Sequence, residues 1–448
     1  MRKRTFALFT VASITYSPFA LAETTRYVEP VAFKSDAYYQ QGDQYLTSTP
    51  VQAASSTAAL ACGDPACSDP CADPNCSDDV ACGSGCEAGG LFSGCALAGP
   101  IEGLSLADLV GIDPECSSIE IGGWTNIAYY NKNIPLSQNF DDLLSFDDIP
   151  DHANLAQQWF YIGKVADGSA GRDFGGRIDV LYGTDAQKSQ AFGNPGAGIR
   201  NNGFYDASLD HGYYGWAIPQ AYMEVANGDL STKVGHFFTP LGFEVIPATG
   251  NFFHTHSYTM FNSEPFTHTG ALSTYSGFEG LTLYGGWTAG WDTGFTNNNS
   301  GSNWIGGFAT ELSENVTFTY LNTYGNFGWI DGGSKNSYSH SMVLVADLTD
   351  NLQYVGQSDL LRTDNPGVSQ IDTIGLNQYM FYTLTDTLKV GGRCEWWKKD
   401  GTSFNEVTGG VNIQALSNLV FRPEVRHDWS PGTDLDQTAV AIDAILTY

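Results

Sequence analysis

Four short motifs recur in the second half of the chain: "LSENV" at Leu312, "LTDNL" at Leu348, "LTDTL" at Leu384 and "LSNL" at Leu416. The intervals are 36, 36 and 32 residues. Each motif reads as a tight turn, so each interval must hold two long strands and one longer loop. Between the turns, apolar residues fall at every second position. In "DFGGRIDVLYG", Phe174, Gly176, Ile178, Val180 and Tyr182 share one face, with Arg177 and Asp179 on the other. In "LKVGGRCEWW", Leu388, Val390, Gly392, Cys394 and Trp396 oppose Lys389, Arg393 and Glu395. "NLVFRPEVRHDW" sets Leu419, Phe421, Pro423, Val425, His427 and Trp429 against Arg422, Glu424, Arg426 and Asp428. The ending "AVAIDAILTY" sets Val440, Ile442, Ala444, Leu446 and Tyr448 against a set that includes Asp443. A period of two marks strands with two different faces.

Strands of this length, joined alternately by tight turns and long loops, form an up-and-down meander. Sandwich strands are shorter, with turn signals every 8–12 residues or so. Extended upstream, the frame places turns at Asp167–Gly171, Asn227–Asp229 and Ser276–Gly280. Seven turns and eight long loops then give sixteen strands between about Ser117 and Tyr448. The expected fold class is all-β: a closed up-and-down antiparallel transmembrane β-barrel with lipid-facing apolar stripes and lumen-facing charged stripes. Pro219 and Pro423 fall inside strands, where a closed sheet has no free edge, so bulges or displaced strand ends are expected there.

Composition agrees. Charged residues make up 15% of the chain and aromatics 13%, against about 25% charged in a soluble domain. The opening "MRKRTFALFTVASITYSPFALAETT" has a basic start, an apolar stretch and a small-x-small ending at Ala20 and Ala22, reading as a secretory signal over residues 1–22. Residues 23–61 read as a low-complexity linker. Residues 62–116 form a Cys-rich extension carrying Cys62, Cys67, Cys71, Cys76, Cys82, Cys86, Cys95 and Cys116. Their spacings miss the paired C-x-x-C of structural zinc sites, and an exported protein meets an oxidising compartment, which favours disulfides over metal. "IEGLSLADLVG" (101–111) reads as one or two helical turns, and residues 117–448 as the barrel.

The most distinctive text is "KVGHFFTPLGFEVIPATGNFFHTHSYTMFNSEPFTHTG" (233–270). Its Gly235, Phe237, Thr239, Pro240, Gly242, Glu244, Val245 and Ile246 series, continued by Asn251, His256, Ser257, Tyr258, Pro265, Phe266, His268, Thr269 and Gly270, resembles the OmpL-like β-barrel porin family. "IPQAYMEV" and "IEIGGWTNIAYY" resemble the same family, over roughly Ser117 to Tyr448. The resemblance implies an outer-membrane porin and does not extend to the Cys-rich segment.

By strand count, this text holds the third external loop, from about Leu241 to Thr267. In sixteen-stranded porins that loop folds inward, and a loop this long and aromatic needs a surface to pack on. Glu244, His254, His256, Glu264 and His268 are therefore the candidate constriction residues. The lumen-lining candidates are Arg177, Asp179, Lys233, Arg393, Glu395, Arg422, Glu424, Arg426, Asp428 and Asp443. A wall ion pair that selects nothing is the plainer role for any one of them. His254-x-His256 with Glu264 and His268 mimics a metal site, but two loop histidines two apart are common by chance, so neither metal nor cofactor is assigned. From Ser117 onward there are 35 acidic and 15 basic residues, a net of −20, which points to mild cation preference and against nucleic acid.

No G-x-S-x-G elbow, P-loop, H-E-x-x-H or dinucleotide fingerprint appears, so no enzyme is expected. The terminal Tyr448 is the kind of ending read by barrel-insertion machinery. The expected partners are that machinery, outer-membrane lipid, small hydrophilic solutes and a homotrimer, with the Gly-rich "LTLYGGWTAGW" as one contact surface. The expected function is passive diffusion of small hydrophilic solutes or ions. The alternatives are a sugar-type specific channel and a plugged structural or adhesion barrel cross-linked through its cysteines.

Overall fold

The computed structural model describes residues 103, 105–112, 117–135, 146–191, 206, 210–295, 300–328, 330, 336–363 and 371–448. The signal, the linker and all eight cysteines of the extension lie outside the described residues. The expected short helix is α1 (Leu106–Val110), with Ser105 as N-cap and Gly111 at φ 73° closing it.

Sixteen strands follow among the described residues. They are β1 (Glu120–Tyr130), β2 (Ala153–Lys164), β3 (Arg172–Gly183), β4 (Gly215–Asn227), β5 (Leu230–Phe238) and β6 (Thr267–Phe278). Next come β7 (Leu281–Trp291), β8 (Ser302–Ser313), β9 (Val316–Asn326), β10 (Ser337–Thr349) and β11 (Leu352–Arg362). The last are β12 (Asp372–Thr385), β13 (Leu388–Lys399), β14 (Thr402–Leu416), β15 (Leu419–Trp429) and β16 (Asp436–Thr447). Each pairs antiparallel with its sequence neighbours, and β1 closes the barrel on β16 from Trp124↔Thr447 to Tyr130↔Ala441. Tyr448 extends that closure: its N–H donates to the Gly123 carbonyl at 3.0 Å and its carbonyl accepts from the Gly123 N–H at 2.9 Å. Its hydroxyl meets Gln158 and Thr125, and its ring lies 6.0 Å from that of Phe160.

All seven turn motifs join strands at one rim. The other rim departs from the expectation of eight long loops. The β13–β14 connection is only Asp400–Gly401, with φ 48° and 94°. Two successive positive-φ residues, Asp then Gly, form the two-residue hairpin turn whose twist matches paired strands. At Pro219 the β3–β4 register shifts between Asp179 and Leu181, the irregularity a strand proline requires. Pro423 shows no bulge. It pairs in register with Ile442 on β16, while the β14–β15 ladder omits its position, with Gly410↔Glu424 and Ile413↔Phe421 on either side. A missing N–H costs one rung and leaves the register unchanged.

The alternation decides which way the wall faces. Outward residues are apolar and open, with Met223 65% exposed and Ile178 53%. Alternating with them, inward residues such as Asp179, Asn303, Thr323, Arg393 and Glu406 are polar or charged and turned away from the outer surface. That is the inside-out pattern of a barrel standing in lipid.

Candidate functional site: a loop fastened across the barrel interior

The β5–β6 connection, residues 239–266, is 28 residues long and carries the aromatic text singled out above. It contains a 3₁₀ turn at Ala248–Gly250 and the short helix α2 (Tyr258–Ser263), whose N-cap Ser257 accepts from the Met260 N–H. Asn251 pins the segment before the turn: its Oδ1 accepts from the Val245 N–H at 2.9 Å and its Nδ2 donates to the Val245 carbonyl at 2.6 Å. Gly242 sits at φ 90°, and a Cβ there would lie 2.0 Å from Glu264 Oε2, so only glycine lets the two ends of the loop meet.

Carboxylates from the wall hold the loop's N–H groups. Glu424 accepts from the His254 N–H at 2.7 Å and the Thr255 N–H at 3.1 Å. Glu395 accepts from the Tyr258 and Thr259 N–H groups at 2.6 and 2.8 Å, the first two amides of α2. Asp428 accepts from the Tyr258 hydroxyl at 2.6 Å. Wall arginines hold its carbonyls in turn. Arg393 donates to Thr255 O at 2.7 Å, Arg422 to Ala248 O at 2.9 Å and Arg426 to His256 O at 2.5 Å. Each arginine is also paired: Arg393 with Glu244 (2.7 Å) and Glu406 (2.6 Å), Arg422 with Asp443 (2.5 Å), and Arg426 with Asp428 (2.9 Å). Buried charges endure only with partners of this kind.

Elsewhere apolar contacts take over. Phe252 and Phe253 pack with Val343, Val355, Tyr379 and Phe381 of β10–β12. Leu241 packs with Tyr222, Phe237, Leu272, Tyr284, Ile305 and Leu321, one residue from each of β4 to β9. Wall glycines make room. A Cβ on Gly375 would lie 2.1 Å from Thr259 Oγ1, and one on Gly391 would lie 2.5 Å from Phe252. Loops beyond β1 and β3 lock in as well. His254 Nε2 meets Asp147 at 3.0 Å, and Lys188, in the short helix α3 (Ala186–Ser189), donates to Asp148 at 2.6 Å.

The loop's ionisable groups diverge. Burial works against a charged His254, but the Asp147 and Asp443 carboxylates outweigh it and hold the imidazole well above its usual pKa. Burial pushes His256 down to about 4. Burial alone would raise Glu244, yet Arg393, His256 and the Ser257 N–H hold it below the usual range. Burial and the nearby Asp359 carboxylate raise Glu264, whose Oε1 accepts from Gln357 at 2.5 Å. Glu244 and Glu264 border one small crevice, with room for about a single water, together with Phe238, Ile246, Met260 and Phe266.

Of the ten wall candidates, Arg177, Asp179, Arg393, Glu395, Arg422, Glu424, Arg426, Asp428 and Asp443 are buried. Arg177 pairs with Asp179 at 2.6 Å, and Asp179 accepts from the Trp159 indole. Lys233 is half-buried, its ammonium 4.8 Å above the Tyr222 ring. Among the loop candidates His268 needs correction. It is the second residue of β6, fully buried and bonded to Thr239 at 3.1 Å, and so belongs to the wall beyond the Thr267 end of the expected loop. His254 and His256 likewise take separate partners. Among the described residues no group of three or more His, Cys, Asp or Glu side chains is arranged to hold a metal. Gln157, Asp147, Lys188, Gln357 and Glu406 were missed. Glu406 and Gln357 carried a signal, since they continue the inward alternation of β14 and β11.

The model of the family described as "Putative beta-barrel porin-2, OmpL-like" matches residues 118–447. The chain belongs to that family. It is an outer-membrane β-barrel of the porin type, a class of channels rather than enzymes. Among solved structures it is similar to the anion-selective porin of Comamonas acidovorans, at 10% identity and TM-score 0.52, over 74% of this chain and 99% of that one. It is also similar to the outer-membrane channel DcaP of Acinetobacter baumannii, at 10% identity and TM-score 0.50, over 74% and 97%. At such identities the likeness is one of fold. No curated protein sequence matches the chain.

Proposed function

We propose that this porin passes small hydrophilic solutes and ions by passive diffusion, through a bore narrowed by its third external loop, residues 239–266. The observation that carries the reading is the two-sided fastening of that loop to β13 and β15: carboxylates on its N–H groups and arginines on its carbonyls. A loop held at so many points keeps one position, and a fixed constriction sets a fixed cut-off for solutes. The buried charges serve that fastening first. Permeant ions meet the acidic surplus of the barrel chain, a net of −20 from Ser117 onward, which favours cations. Tyr448, completing the closing seam, is the proposed contact for insertion machinery.

Single-channel recording of the purified full-length chain in planar bilayers, under a salt gradient, tests this. The expected result is stable unitary current with a reversal potential of the cation-preferring sign. An anion-preferring reversal would remove the charge argument, and insertion without current would favour the plugged barrel.

A further inference from the structure

One strand irregularity aims a wall residue at the loop. Between β1 and β2 the register shifts after Asn126, so Asn126 pairs with Gln157 while Ile127 pairs with Leu155, leaving Ala156 as the extra residue. Asn154 faces inward, so strict alternation would turn Gln157 to lipid; the bulge reverses the faces. Gln157 is 1% exposed as a result. Its carboxamide fills all four of its hydrogen-bonding positions. Oε1 accepts from the Trp124 indole at 3.0 Å and from the Ala248 N–H at 2.9 Å. Nε2 donates to the Ile246 carbonyl at 2.8 Å and to Asp185 at 2.9 Å.

The same turn of the loop is held from the far side of the closing seam. Arg422 of β15 donates to the Ala248 and Asn251 carbonyls at 2.9 and 2.5 Å and to both oxygens of Asp443. Asp443 of β16 accepts from Asn126 of β1 at 2.7 Å. The bonds close into a ring: Trp124 and Asn126 on β1, Gln157 on β2, Ala248 on the loop, Arg422 on β15, Asp443 on β16. Apolar contact lines it, since Ile246 and Ala248 belong to one cluster with Trp124 of β1 and Ile445 of β16. The place matters. Among the described strands every other ladder joins neighbours in the chain, whereas β1 and β16 are its two ends and have no connecting turn. A ladder without a short connection carries the largest closure entropy, so it gains most from a tie.

We infer that the Ala248–Gly250 turn is an inner clasp for the closing seam of the barrel, with Gln157 as the residue that positions it. Gln157 and Arg422 reach one turn only while β1 lies on β16, so the clasp forms with the closed seam and is lost when the seam parts. This role is independent of what passes through the bore.

The test is hydrogen–deuterium exchange of the full-length chain in lipid nanodiscs, read by mass spectrometry on peptides from β1 and β16 and, for comparison, from β7 and β8. Gln157→Leu removes all four bonds. The expected result is exchange about ten-fold faster at β1 and β16, with β7 and β8 within about two-fold of the unmodified chain. Gln157→Glu keeps the side chain's volume and both accepted bonds but cannot donate to the Ile246 carbonyl, and should give the same pattern at about three-fold. Leu241→Ala loosens the loop on the β4–β9 side and should leave the seam within about two-fold. Unchanged seam exchange in either Gln157 variant that runs as a heat-modifiable barrel, a rise spread evenly over all four strands, or an equal seam rise in Leu241→Ala would each overturn the inference.

Discussion

The two halves of the barrel wall hold the same loop by opposite means. Strands β13, β15 and β16 grip it with buried Glu395, Glu424, Asp428 and Asp443 and with three buried arginines, each arginine paired to a carboxylate. Strands β4 to β9 offer one apolar side chain each, gathered on Leu241. The difference is one of direction. Apolar contact is non-directional and fixes only that the loop stays near the wall. Charge-assisted hydrogen bonds fix which backbone group sits where. The ionic half therefore sets the loop's position, and the apolar half adds adhesion.

The largest effect is expected from Arg393→Met. It leaves Glu244 and Glu406 facing each other without their cation and strips Thr255 O of its donor. Removing one member of a buried pair costs about 3–5 kcal/mol. The loop should detach from β13 while the barrel persists, and unitary conductance should rise with added noise. Leu241→Ala should cost about 2–5 kcal/mol through the cavity it leaves, read as a lower urea midpoint in lipid vesicles, with conductance nearly unchanged. If Leu241→Ala opens the pore more than Arg393→Met does, the division between positioning and adhesion is wrong.

The smallest effect concerns pH. His254, held between Asp147 and Asp443, has its pKa raised in the folded state, so its contribution is fully present below the ordinary histidine value of about 6.5. That contribution is lost as pH climbs through the raised folded value. Conductance should be flat across pH 5.5–6.5 or so and rise modestly in the alkaline range, a step that His254→Gln abolishes. A step of the same size in the variant would assign it elsewhere.

Much of the fold could be read beforehand, since period-two alternation and turn chemistry are local. The seven turn motifs and the outward stripes follow from neighbouring residues alone. The β13–β14 hairpin carried its own signal, Asp400–Gly401, but a frame demanding a long loop there hid it. The loop's anchors were half legible. Glu395, Arg422, Glu424 and Asp443 stood out as inward charges, yet their task of binding loop backbone depends on contacts more than 130 residues apart in the chain for Glu395 and Arg422. Gly375 and Gly391 fell on the inward face of the same alternation, and only the arrival of Thr259 and Phe252 explains them. His268, grouped with the loop although it follows Thr267, is a wall residue because it pairs with Phe237 of β5.

The most direct measurement replaces residues 241–264 with a short Gly-Ser linker and compares unitary conductance with the intact chain in the same bilayers. A fastened loop that narrows an open bore should give a several-fold rise on its removal, with heat-modifiability retained. Equal conductance from a correctly folded excision variant would show that the loop does not set the constriction.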